Sequence, residues 1–214
     1  IECQGTLAFK QVPIKSVPRV VPDELFFYLS GEIVRVPIVP PYVFMTGIGG
    51  GISNLADTMK DGAMSELPPI TIKAKAQLIM IESLVGDFEL EVSLSGLSLS
   101  GELKLKGDDD GKIFNMKAGM SARWLSPFYI SAYGEVNICS GLLKGGFTVK
   151  IASDYFYGYV FAGLFIPDFI PLVGGKQLAG VEAAISSDFI GANIIIIGIK
   201  FGVIYYWDGE YKFG

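Results

Sequence analysis

Histidine is absent from all 214 residues. Its absence removes the commonest general base, the commonest zinc ligand and every Ser–His or Cys–His nucleophile pair. Cysteine is scarce: Cys3 and Cys139 are the only two, and no Cys-x-x-C occurs, which argues against a zinc or dithiol redox site. Two distant cysteines leave two readings open, one disulfide in an oxidising compartment or two unrelated buried thiols. Charge is also thin, at 18% of residues, while half the residues are apolar and mean hydropathy is +0.46. A transmembrane helix needs about 18 or more consecutive apolar residues, and none is written here. The nearest approach, Phe189 to Tyr206, is interrupted by Asn193 and Lys200 and loosened by Gly191, Gly198 and Gly202, so it reads as paired strands. Basic patches are missing, and a net charge of −5 with pI about 4.8 speaks against nucleic acid.

What is present is a two-residue rhythm. Ile70, Ile72, Ala74, Ala76, Leu78 and Met80 share one parity, with Thr71, Lys73, Lys75 and Gln77 on the other. Phe88, Leu90, Val92 and Leu94 alternate with Asp87, Glu89, Glu91 and Ser93. Phe114, Met116, Ala118, Met120, Ala122 and Trp124 alternate with polar residues and glycine, and so do Phe128, Ile130, Ala132, Gly134, Val136 and Ile138. Period 2 places each set on one face of a sheet. The expected fold is all-β: a long antiparallel meander forming a curved sheet, half-barrel or sandwich, with one short helix near 53–60. Three segments follow: Pro-interrupted N-terminal strands at 1–42, a Gly-rich loop and short helix at 43–69, and the meander at 70–214.

Within the first segment, 1–10 is expected as a strand and 12–21, with Pro13 and Pro18, as an edge strand or extended arm. Pro22-Asp23-Glu24 reads as a turn, followed by strands at 25–30 and 32–36. The stretch Gly47 to Met59 reads as a flexible connection; it lacks the Gly-Lys-Ser/Thr ending of a phosphate loop. Ser53 or Asn54 is the expected helix cap. A second loop occupies 62–69. Later turns fall at 83–86, 96–97, 107–111, 126–127, 140–141, 153–154 and 208–209. Asp108, Asp109 and Asp110 form a candidate calcium cluster, but their spacing is not that of a twelve-residue calcium loop, and a solvated turn is the preferred reading. Residues 194–197 are apolar on both parities, which predicts a strand covered on both sides. Residues 166–175 form a loop of unusual apolarity. Phe169, Ile170 and Leu172 are expected to cover an open end of the core, or to form a lip that touches lipid or a partner.

From Gly49-Gly50-Gly51-Ile52-Ser53-Asn54-Leu55-Ala56-Asp57-Thr58, through Leu67-Pro68-Pro69, to the closing Gly202-Val203-Ile204-Tyr205-Tyr206-Trp207-Asp208-Gly209, the chain resembles segments of very large secreted proteins of Gram-positive anaerobic bacteria. The likeness runs from about Val43 to the end. It implies an extracellular, multidomain, surface-exposed setting and carries no catalytic residues. A chain that opens on Ile1 rather than Met is either a processed product or, as this resemblance favours, a piece of something longer.

The leading functional expectation is a non-enzymatic structural or interaction module of a surface protein. Its partners would be other protein domains or copies of itself, with membrane or lipid contact open and nucleic acid excluded. A second expectation is an open β-barrel holding an apolar ligand, since Ala74, Ala76, Ala118, Ala122, Ala132 and Gly134 leave room unless bulky neighbours such as Trp124 and Phe128 fill it. A third is an outer-membrane β-barrel: strands of about ten residues, with aromatics at 155–161 and 205–207, resemble interfacial girdles. Enzymes without histidine use carboxylate pairs. Here Asp87, Glu89, Glu91 and Glu135 lie on regular polar faces, and cross-strand pairing of Glu89 and Glu91 with Lys73 and Lys75 accounts for four charges without catalysis. No catalytic, cofactor-binding or metal-binding residue is therefore assigned.

Overall fold

The computed structural model describes residues 1–31, 33, 35–60 and 70–214. Its strands are Glu2–Ile14 (β1), Val17–Ser30 (β2), Val36–Val39 (β3), Val43–Ser53 (β4), Thr71–Met80 (β5), Leu84–Ser93 (β6), Gly96–Leu105 (β7) and Phe114–Arg123 (β8). They continue with Tyr129–Ile138 (β9), Leu143–Ala152 (β10), Phe156–Phe165 (β11), Gln177–Ser186 (β12), Phe189–Ile196 (β13), Ile199–Tyr206 (β14) and Tyr211–Phe213 (β15). One helix, Leu55–Met59 (α1), stands between β4 and β5. All strands belong to one open antiparallel sheet that follows chain order, with β3 attached beside it to β4 and with β1 and β15 as its two unclosed ends. The all-β expectation and its single short helix thus hold. Part of the expected strand at 32–36 and all of the expected loop at 62–69 lie outside the described residues.

Two compact units make up the chain: Ile1–Gly101 with Arg123–Leu125, and Glu102–Ala122 with Ser126–Gly214. In the first, residues 1–30 form a hairpin, not a strand followed by an arm. The turn is Lys15-Ser16, both with positive φ (53° and 61°), which suits the twist of a two-residue hairpin. Pro22-Asp23-Glu24 is not a turn either. Ala8 pairs with Glu24 and Phe9 with Pro22, which leaves Asp23 as the extra residue of a bulge. Released from the ladder, Asp23 accepts the Ala56 N–H at 3.2 Å and so takes the role expected of a local cap. Asn54, at φ 62°, instead donates its side-chain amide to Thr71 at 3.2 Å.

The glycine-rich stretch is the other correction. Gly47, Gly49, Gly50 and Gly51 are not a flexible connection but part of β4, hydrogen-bonded between β2 and β5. Bulk explains Gly47, Gly49 and Gly51, though not Gly50. The Tyr28 and Phe26 side chains lie across β4, and a Cβ on Gly49 would stand 2.7 Å from Tyr28 Cδ2. Only residues without a side chain leave room for those rings.

In the second unit, β9 to β14 are regular ladders joined by short turns, apart from one longer connection at 166–176. Cys139-Ser140 and Ile197-Gly198 repeat the positive-φ pair of Lys15-Ser16.

Candidate functional site

Cross-strand partners share a face, so the registers sort every strand residue. In the second unit one row reads Gly134–Phe147–Val160–Ala183–Ala192–Val203 across β9 to β14. The next row of the same face reads Val136–Gly145–Ala162–Val181–Ile194–Phe201, and the next Ile138–Leu143–Leu164–Ala179–Ile196–Ile199. No charged or hydrogen-bonding side chain interrupts them. The opposite face carries Glu135, Lys144, Thr148, Tyr159, Glu182, Asn193 and Lys200. The first unit divides the same way. Leu7–Leu25–Ile52–Ile72–Val92 and Cys3–Leu29–Ile48–Ala76–Phe88 are rows of one face, and Gln4–Tyr28–Gly49–Lys75–Glu89 is a row of the other.

Exposure runs against polarity. In β11, Phe156, Val160, Ala162 and Leu164 are exposed while Tyr157, Tyr159, Phe161 and Phe165 are partly covered. In β13, Ile194 and Ile196 are 57% and 52% exposed, and Ile195 between them is 2% exposed. The expectation that 194–197 is covered on both sides therefore fails: only the polar face is shielded there. Among the described residues, the buried strand side chains of Val12, Tyr28, Ser30, Ser53, Ile79, Ser186 and Ile195 lie on the charged faces of their units, whereas the buried glycines Gly86 and Gly134 lie on the apolar faces. Helix α1 packs against β1 and β2, with Lys10 of the charged face bonded to Asp57 at 2.9 Å and Ala56 fully buried. That bond holds the Asp57 carboxyl below the usual carboxylate range. A water-soluble sheet hides its apolar side and wets its polar one; β2, β4, β5 and β10 to β14 do the reverse along most of their length. In β9, by contrast, Tyr133 and Glu135 are exposed with Ile130, Val136 and Ile138 partly covered, and in β6 Asp87, Glu89 and Glu91 are exposed.

Many polar side chains on the charged faces find partners, although Asn137 Oδ1 in β9 is buried without one. Glu182 accepts Tyr159 Oη at 2.9 Å, Asn193 Nδ2 at 2.8 Å and Lys200 Nζ at 2.6 Å. Lys75 meets Glu89 at 3.1 Å, Lys73 meets Glu24 at 2.8 Å and Glu91 at 4.0 Å, and Gln77 donates to Asp87 at 3.1 Å. The cross-strand pairing of Lys73 and Lys75 with the β6 carboxylates is present as expected. Asp108 turns its oxygens to the backbone. Its carboxylate accepts the backbone N–H groups of Lys112, Ile113 and Phe114 at 2.8, 2.7 and 3.1 Å. Burial alone would raise its pKa, but these three donors and the Lys112 charge together hold it below its usual value. Asp110 pairs with Lys112 at 2.6 Å. Among the described residues no group of three or more acidic or cysteine side chains gathers to hold a metal. Cys3, on the apolar face of β1, and Cys139, in the β9–β10 turn, are both exposed free thiols.

Aromatic residues collect at one end of the second unit. Tyr129, Phe156, Phe189 and Tyr211 begin β9, β11, β13 and β15, while Tyr205 and Tyr206 end β14. Trp207 follows, donating Nε1–H to Ser186 O at 2.9 Å and meeting the Tyr205 ring edge-on. At the opposite end the apolar face holds only Ile138, Leu143, Leu164, Ala179, Ile196 and Ile199. Two open depressions of about 600 and 610 Å³ lie over Gly145, Ala162, Ala183 and Ala192, walled by Leu143, Ile194, Phe201 and Phe213, the first of them reaching the Ile138–Leu143–Leu164 end. Of the small residues read from the sequence, Ala74, Ala76, Ala132 and Gly134 belong to the apolar faces, and the Phe147 ring lies over Gly134.

Phe169, Ile170 and Leu172 come together in the β11–β12 connection and are 73%, 36% and 99% exposed. They do not cover a core. No helix among the described residues is long and apolar enough to cross a membrane, a statement that does not bear on strands. Comparison with protein-family models, with curated proteins and with solved structures finds no match to this chain.

Proposed function

We propose that the chain is a lipid-facing β-wall: a membrane-embedded sheet whose apolar faces meet hydrocarbon and whose charged faces are turned away from it. The inverted pairing of polarity and exposure carries this reading. Dimensions agree with it. From β5 to β12 every strand has ten residues, and a membrane-crossing strand tilted near 45° needs about 9–11. Ten residues at about 3.4 Å rise span about 34 Å along the strand, or about 24 Å along the normal at that tilt, close to the apolar band of about 25 Å on membrane barrels. The aromatic end of the second unit fits the interfacial belt, where amphipathic rings sit at headgroup level.

Hydrocarbon tolerates no unpaired strand edge. In a lipid-facing wall the outer edges of β1 and β15, the first and last strands of the pairing order, would each be covered by pairing with another strand. The resemblance to large secreted proteins adds a surface setting and a longer polypeptide that would supply such strands. A second reading, an open sheet that carries single apolar ligands, is favoured by the two depressions on the apolar face. An interaction module would bury the same face against protein.

Reconstitution separates the three. A lipid-facing wall folds when diluted from denaturant into phosphatidylcholine vesicles and stays with them through alkaline carbonate washing. A chain that folds as a stable monomer in plain buffer overturns the wall. Co-purified lipid on such a monomer supports the ligand carrier, and a lipid-free oligomer supports the interaction module.

A further inference from the structure

We infer that the β11–β12 connection is an interfacial lipid anchor, with Phe169 and Leu172 as its inserted side chains; this rests on the wall reading and adds a site outside the strands. Two observations point to it independently. The first is a fixed base. Ile166 N–H donates to Lys176 O at 2.9 Å and Gly175 N–H to Ile166 O at 2.8 Å, which closes the loop on itself. Asp168 ties it to the neighbouring β9–β10 turn, donating its N–H to Ser140 O at 2.9 Å while its carboxylate holds Lys144 Nζ at 3.1 Å. An apolar tip on so braced a base is presented, not collapsed.

The second is Leu172 itself. It is 99% exposed and sits at φ 67°, a backbone region that suits glycine and disfavours a branched aliphatic side chain. Two glycines stand close by at 174 and 175, yet leucine occupies the strained position. Strain kept at a fully exposed apolar residue marks a site where that side chain is used.

Lipid is the occupant the surroundings select. Residues 169–175 (Phe-Ile-Pro-Leu-Val-Gly-Gly) hold no charge and no side-chain donor or acceptor, so a polar partner has nothing to grip. The loop leaves the strands next to Leu164 and Ala179, the last rung of the apolar face, while its base is tied through Asp168 to Lys144 of the charged face. This is also the end without Tyr or Trp on the apolar face. A dipping loop supplies there the anchorage that the aromatics supply opposite. Interfacial apolar segments sink about 5–10 Å into the boundary between headgroups and acyl chains.

The test uses the full chain in phosphatidylcholine vesicles, with Cys3→Ser and Cys139→Ser as background. Single nitroxide labels are placed at Leu172→Cys, at Val160→Cys on the apolar face and at Asp109→Cys in the β7–β8 turn. Collision with oxygen and with a water-soluble nickel chelate reads depth. The expected result is oxygen-rich Val160, nickel-rich Asp109, and Leu172 oxygen-rich but shallower than Val160. Lipid-exposed Val160 with water-exposed Leu172 overturns the anchor and leaves the wall standing. Leu172 shielded from both reagents overturns it in favour of a protein partner. Val160 in water removes the wall, and the anchor with it. Leu172→Gly supplies a second readout: it relaxes the backbone and so preserves the fold, and it is expected to move a label at Phe169→Cys toward the nickel phase. No movement overturns the role of Leu172.

Discussion

Val160→Arg separates a lipid-facing wall from a wetted sheet. Val160 lies near the middle of β11, flanked by Phe147 on β10 and Ala183 on β12, and is 52% exposed. At a water-exposed strand position an arginine costs little, within about 0.5 kcal/mol. At the middle of a bilayer the same side chain costs about 2–4 kcal/mol, falling to about 0–1 near the interface. Leu164→Arg, one residue from the end of β11 on the same face, therefore provides the gradient. Thr148→Arg, on the charged face of β10, provides the counterpart that never meets lipid. Guanidinium unfolding from vesicles, followed by fluorescence of Trp124 and Trp207, gives the three stabilities relative to the parent chain. The expected order is a large loss for Val160→Arg, a small one for Leu164→Arg and little change for Thr148→Arg. Equal and negligible losses at all three sites would refute the depth argument.

Other expectations follow from single contacts. Gly49→Ala places a Cβ 2.6 Å from Phe27 O and 2.7 Å from Tyr28 Cδ2, an overpacking worth about 1–3 kcal/mol; Gly50→Ala, whose Cβ meets nothing closer than 3.4 Å, should leave the unfolding midpoint unchanged or raise it. Ser186, 1% exposed, accepts the N–H groups of Asp188 and Phe189 at 3.1 and 3.2 Å, so Ser186→Ala removes the acceptor of two part-buried donors and should lower stability by about 1 kcal/mol, a loss visible in the same denaturant assay. The depressed pKa of Asp108 makes the β7–β8 turn acid-sensitive. Its contribution is complete above the usual carboxyl value of 3.8 and is lost as pH falls through the lower folded-state value. Amide shifts of Ile113 and Phe114 should titrate below 3.8, and a midpoint above it would contradict the three-donor geometry.

Period-2 alternation carried most of the fold. The rhythms of Ile70 to Met80, Phe88 to Leu94, Phe114 to Trp124 and Phe128 to Ile138 fall on β5, β6, β8 and β9, each running one residue past its strand. Three local features escaped for separate reasons. Lys15-Ser16, Ile81-Glu82 and Cys139-Ser140 adopt positive φ at both turn residues without the Asn-Gly or Asp-Gly pair that usually announces it. Pro22-Asp23-Glu24 has turn composition but sits in a bulge, where a missing ladder donor is tolerated. Gly47, Gly49 and Gly51 give β4 a loop composition because the strand must pass beneath Tyr28 and Phe26, rings that come from a different part of the chain. The decisive property, which face looks outward, was not legible at all. Alternation states that two faces differ, and it is unchanged when inside and outside are exchanged. Phe169, Ile170 and Leu172 could be singled out by their apolarity, but not the brace through Asp168 or the strained backbone of Leu172.

The most direct measurement is a nitroxide scan of β11 in phosphatidylcholine vesicles, one label at a time from 157 to 164. A lipid-facing wall predicts a two-residue oscillation, with oxygen collisions high at 158, 160, 162 and 164 and low at the positions between. Uniform water exposure along the strand, or an oscillation that puts Tyr157, Tyr159 and Phe161 in the lipid, would contradict it.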